Sequence, residues 1–140
     1  MPNTPSPYSF GLDAEEFLAD FHHTTRYGAT GNGGIDRQAA TEPHGRVRDW
    51  FEARAVERGF EVRTDRVGNI FAVREWNPGA PYVLVGSHLD SQPLGGRFDG
   101  TYGVIAALHA ASALDRAVRD GHLVPQANIA VVDWFNEEGA

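Results

Sequence analysis

The chain has no cysteine in its 140 residues, a single methionine, and 12 basic side chains against 19 acidic ones. Without cysteine there is no disulfide framework, no thiolate zinc site and no cysteine nucleophile, which fits a reducing compartment. A formal net charge of −7, with no basic stripe, argues against nucleic acid and anionic membranes as partners. No apolar run approaches the ~18 residues that a membrane helix needs. The opening Met1-Pro2-Asn3-Thr4-Pro5-Ser6-Pro7 lacks the basic and apolar regions of a secretion signal. The expectation is a soluble, cytoplasmic protein. Apolar residues make up 41% of the chain, enough for the core of one domain at this length.

What is present reads as α/β. Residues 1–10, with three prolines, are expected to be a loose tail, and residues 11–140 one domain. Asp13 is placed to cap a first helix, with Glu16 three residues on and Phe17, Leu18 and Phe21 at helical spacing. Residues 28–34 form a glycine-rich stretch that lacks the strand and helix context of a phosphate loop. It reads as a flexible connector, or else as a mobile loop beside a substrate. Thr41 and Pro43 open a second helix with Val47, Trp50, Phe51, Arg54 and Val56 along one stripe, and Gly59 ends it. Strands over 60–64 and 69–74 flank a hairpin turn at 65–68. The apolar run 82–85 predicts a strand buried on both faces. A helix over 100–119 and a second buried strand over 129–132 complete a parallel βαβ unit.

Three segments carry chemistry: Gly86-Ser87-His88-Leu89-Asp90, Gly95-Gly96-Arg97-Phe98-Asp99-Gly100 and Asn136-Glu137-Glu138-Gly139. Open α/β sheets gather their sites beyond the carboxyl ends of the strands. His88 and Asp90 follow one predicted strand; Glu137 and Glu138 follow the other. In extended chain, residues two apart face the same way, so Asp90 can accept the second ring N–H of His88 and fix its tautomer. The plainer reading is a surface His–Asp pair. Asp99 at a helix start is either an N-cap or a carboxylate bridging two cations. Glu137 and Glu138 repel unless a cation or shared proton relieves them, so they are either a solvated turn or a metal ligand (Glu138) beside a general base (Glu137). His22, His23, His44, His109 and His122 have no ligand spacing and read as helix-face or loop residues. Asp133, beside Trp134, reads as a paired or hydrogen-bonded strand residue.

Together these segments resemble the M20 metallohydrolases, most closely the branch of N-carbamoyl-L-amino-acid hydrolases, allantoate amidohydrolases and β-ureidopropionases. The lead-in at 59–63 and 67–71, and the run from Gly86 to Pro93, resemble that branch too. The resemblance implies a zinc-exopeptidase-like catalytic domain with a mixed sheet, and two divalent ions, usually zinc or manganese. It implies that His88 binds the first ion, Asp99 bridges, Glu138 binds the second, Glu137 is the base, and Asp90 orients His88. It implies a non-planar, or cis, peptide after Asp99. It also implies ligand histidines well downstream and a smaller domain that dimerises and helps bind the substrate carboxylate. Neither occurs in these residues, so they match the N-terminal part of the catalytic domain, with weak metal binding and no useful turnover expected from this stretch alone. The complete protein is expected to be a homodimer acting on a small molecule. An aminoacylase or peptidase of the same superfamily, a non-catalytic binding fragment, and an enzyme split between two chains are the rival readings.

Overall fold

Asp13 sits in extended conformation, and its Oδ1 accepts the Glu16 N–H at 3.0 Å, opening helix α1, Ala14–Thr24. In this computed structural model, which describes residues 10–140, Glu16 does not return the bond; its carboxylate reaches Arg54 and Arg58 instead. The expected loose tail lies outside the described residues, Phe10 excepted. Helix α2 is Glu42–Glu57, with Pro43 in its first turn. Thr41 stands at its cap position, yet its hydroxyl donates back to the Gln38 carbonyl at 2.7 Å. The stripe that faces inward is Val47, Phe51 and Ala55, while Val56 is exposed.

Strands β1 (Glu61–Thr64) and β2 (Ile70–Arg74) pair as the expected antiparallel hairpin. The Asp65 side chain closes the turn by accepting the Val67 and Asn69 amides. Strand β3 (Tyr82–His88), helix α3 (Thr101–Arg119) and strand β4 (Asn128–Trp134) form the parallel βαβ unit. The sheet order is β1-β2-β4-β3, with β2 antiparallel to β4. The α/β fold with a mixed sheet and flanking helices is therefore as expected.

The order corrects one expectation. β4 is the strand flanked on both edges, whereas β3 is a sheet edge on which Val83, Leu84 and Val85 are 56%, 54% and 36% exposed. An apolar run reports the composition of a strand, and pairing alone decides which strand is central. One face of the sheet, through Ile70, Ala72, Ile129 and Val131, packs against Val47, Phe51 and Ala55 of α2 and Val104, Leu108 and Ala111 of α3. Burying a side chain of this size is worth about 1.5–3 kcal/mol, so this shared layer fixes where the strand ends point.

A second correction concerns the glycine-rich stretch, which is docked. Gly28 accepts the Asp36 N–H at 2.7 Å, and the Ile35 N–H reaches the Gly95 carbonyl at 3.0 Å. Ile35 and Arg37 just after it are buried to 1% and 0% exposure. Gly28 has φ of +73°, and a Cβ there would run into the Asp36 carbonyl, so glycine is required for this approach.

Candidate metal centre

His88 is the last residue of β3, buried to 5% exposure. Its Nδ1 lies 3.0 Å from the main-chain oxygen of Asp90 and 3.3 Å from the Asp90 carboxylate. The ring is thus held through both oxygens of the same residue rather than by the carboxylate alone. Its other nitrogen, Nε2, faces outward, 3.4 Å from Glu137 Oε2 and 3.7 Å from Asp99 Oδ1. One ring nitrogen is fixed from behind and the second is turned to a cluster of carboxylates, where it could serve as a metal ligand.

Asp90 is buried to 1% exposure, and its two oxygens accept the backbone N–H groups of Glu137 and Glu138 at 3.4 and 3.1 Å. One carboxylate therefore ties the loop after β3 to the loop after β4, two segments nearly fifty residues apart in sequence. Glu138 is steadied from the other side by Gln92, whose amide donates to its carboxylate at 2.9 Å and to its carbonyl at 3.1 Å. Phe135, leading into this loop, donates its N–H to Asn69 at the start of β2.

Asp99 is not the helix cap. Gly100 takes that position with φ of +65°, leaving the Asp99 side chain 71% exposed and turned toward His88. A Cβ on Gly100 would stand 2.5 Å from His88 Cε1 and 2.6 Å from Nδ1. The missing side chain lets α3 start against the imidazole face. No cis peptide occurs among the described residues; the chain turns after Asp99 through the positive φ of Gly100 instead.

The three segments thus meet. His88, Asp99 and Glu138 each present one donor atom, and these atoms lie within 4.8 Å of one another. One imidazole nitrogen with carboxylate oxygens is a donor set suited to zinc, manganese and related divalent ions. The remaining histidines stand apart: His109 bonds Asp20 between helices, His23 stacks on Trp50, and His44 is enclosed under Phe135.

Beneath the site lie Arg37, which sequence reasoning passed over, and Asp133. Arg37 is wholly buried and bonds the Leu89, Thr24 and Tyr27 carbonyls and the Thr101 hydroxyl. Burial pushes its pKa down to about 10, with Asp133 and Asp90 opposing, so it stays cationic at neutral pH. Asp133, expected to be a paired strand residue, is paired: Arg48 donates to it at 2.7 Å. Burial raises the Asp133 pKa to about 7 against the pull of Arg48. A lone arginine after a glycine loop gives no sign of this in a single sequence.

The mixed α/β sheet, with imidazole and carboxylate groups gathered at its strand ends, has a zinc-exopeptidase-like fold. A zinc-dependent exopeptidase from Bacteroides vulgatus shares that fold with a TM-score of 0.62 at 18% identity. Over the segment it shares, the chain is similar to amidohydrolases of the hydantoinase/carbamoylase family. It is 42% identical to a hydantoinase/carbamoylase family amidase from Burkholderia ambifaria, with a TM-score of 0.84 over 92% of this chain and 31% of that one. It is 52% identical to a hydrolase of Mycolicibacterium smegmatis over 99% of this chain and 31% of the relative. It is 39% identical to an N-carbamoyl-L-amino-acid amidohydrolase of Rhizobium meliloti over 77% of this chain and 25% of the relative. The chain therefore spans less than a third of the length of these relatives. No protein-family model matches it.

Proposed function

We propose that the complete protein is a cytoplasmic M20-type hydrolase with two divalent ions, zinc or manganese, that cleaves a C–N bond of N-carbamoyl-L-amino acids or related ureido compounds. The convergence of His88 Nε2, Asp99 and Glu138 within 4.8 Å carries this reading. In it, His88 would hold one ion and Glu138 the other, and Asp99 would be the ligand they share. Such ions, when bound, polarise the scissile carbonyl and lower the pKa of water. The residues here do the rest. Asp90 keeps the His88 ring turned and holds the amides of the glutamate loop. Glu137, with a half-exposed carboxylate beside His88, is positioned to take a proton from water and return it to the leaving nitrogen. Four carboxylates crowd one strand edge, and cations are what relieve their mutual repulsion.

The substrate class follows from similarity to the N-carbamoyl-L-amino-acid amidohydrolase of Rhizobium meliloti. An allantoate amidohydrolase of Bacillus subtilis, 32% identical over 92% of this chain, supports other linear ureides as substrates. The small-molecule substrate would be read by residues beyond these, and the homodimer expected from the resemblance is part of the same proposal. No described helix is long and apolar enough to cross a membrane. The experiment is a substrate comparison with the full-length protein, using an N-carbamoyl-L-amino acid, allantoate, an N-acetyl amino acid and a dipeptide. Turnover of the first two with added zinc or manganese, far above the others, is expected. Preference for the acetyl or peptide substrate would move the protein to the aminoacylase or peptidase reading, and no turnover of any would favour a binding role.

A further inference from the structure

Leu89 separates His88 from Asp90, and its own side chain is fully buried. Its peptide groups are gripped by two buried side chains, an aspartate and an arginine. The Leu89 N–H donates to Asp133 Oδ1 at 2.8 Å, and the Leu89 carbonyl accepts from Arg37 Nε at 2.6 Å. Each anchor is itself held. Asp133 takes Arg48 on its second oxygen, and Arg48 also donates to the Gly68 carbonyl. Arg37 donates to Thr101 Oγ1 at 2.7 Å, while the Thr101 N–H donates to the Asp99 carbonyl at 2.6 Å. The main chain of Arg37 is laced to Ser91 as well: its N–H donates to Ser91 Oγ at 3.0 Å and its carbonyl accepts the Ser91 N–H at 3.2 Å.

We infer that Arg37 and Asp133 are positioning residues that grip Leu89 from both sides and so preset the relation of His88, Asp90 and Asp99 before any ion binds. Charge-assisted hydrogen bonds are roughly twice as strong as neutral ones, and a buried charge stripped of its partner is costly. These two are therefore more than filler beneath the site. Arg37 also spans three segments at once, joining residues 24–27, the loop after β3 and the start of α3. A guanidinium has the forked donors for this, and a lysine does not. The inference rests on the metal reading proposed above and deepens it.

The test measures zinc and manganese affinity by calorimetry in the full-length protein. Arg37→Met and Asp133→Leu remove the grip; Asp133→Asn keeps an acceptor for the Leu89 N–H; Asp20→Asn perturbs an ionic cluster between the helices, away from the site. Affinity is expected to fall roughly 10–100-fold in the first two, the usual cost of losing groups that orient a ligand. It should recover substantially in Asp133→Asn and stay at the wild-type value in Asp20→Asn. Unchanged affinity in folded Arg37→Met and Asp133→Leu overturns the inference, as does an equal loss in Asp20→Asn. If the two variants do not fold, hydrogen exchange of residues 87–91 in the metal-free wild type decides: slow exchange supports a preset grip, and exchange that slows only after metal addition overturns it. Wild-type protein that binds no metal defeats the underlying reading instead.

Discussion

Two ionic networks in the molecule are built on arginine. One, around Arg37, Asp133 and Arg48, sits under the strand ends and grips the peptide between His88 and Asp90. The other joins three helices: Asp20 of α1 accepts Arg54 of α2 at 3.0 Å, Arg58 just past the end of α2 at 3.2 Å, and His109 of α3 at 2.9 Å. Burial works against the Asp20 charge, but bonds from Arg54 and His109 outweigh it and its pKa is lowered. Their targets differ. The helix network satisfies side chains with side chains, so it holds helices together. The network under the site spends its bonds on main-chain groups of a loop, so it sets loop geometry. What a network bonds to thus decides its consequence.

Glu137→Gln should have the largest effect: turnover in the full-length enzyme should fall on the order of 10²–10⁴-fold, the span of a lost general base, with metal content unchanged. Kinetics alongside elemental analysis check it; loss of metal would mean that the roles of Glu137 and Glu138 are exchanged. Gly100→Ala comes next, because its Cβ collides with the His88 ring and its φ is positive. Metal affinity should drop on the order of tenfold or more, measured by calorimetry. Asp20→Leu should cost about 3 kcal/mol in denaturant unfolding, since it leaves Arg54, Arg58 and His109 without their shared partner. A concurrent loss of metal affinity there would erase the contrast between the networks.

An effect of similar size depends on pH. His44 is buried to 1% exposure, and its Nδ1 accepts the Ala40 N–H. Burial first, and Arg48 second, lower its pKa from 6.5 to about 4. Between those values the unfolded chain binds a proton that the folded chain refuses, so stability is full above about pH 6.5 and declines as pH falls toward 4. The decline attributable to His44 is roughly 3 kcal/mol, and His44→Gln should flatten it in unfolding curves taken across that range. His109, lowered chiefly by burial, leaves a residual slope of the same sign. At the bottom of the scale, Arg63→Ala removes an exposed pair with Glu61 and should leave the melting temperature within experimental error.

Much of the fold was legible because it rests on local rules. The Asp13 cap, the 65–68 turn and the βαβ unit each follow from a few neighbouring residues. The site was legible for a topological reason: parallel strands deliver His88, and with it Asp90, to the same edge as Glu137 and Glu138. The position of β3 at the sheet edge was not, since Val83, Leu84 and Val85 are as apolar as the residues of β4. Nor was the docking of residues 28–37, because Arg37 finds its partners more than fifty residues away, at Leu89 and Thr101. Asp99 was ambiguous by its nature, and only the adjacent glycine taking the cap position removes the N-cap reading.

Anomalous diffraction from crystals of the full-length protein grown with zinc or manganese tests the metal site itself. Two peaks about 3.5–4 Å apart are expected, one beside His88 Nε2, one beside the Glu138 carboxylate, with Asp99 between them. No peak at these residues under saturating metal, or an ion bound only elsewhere in the protein, would contradict it.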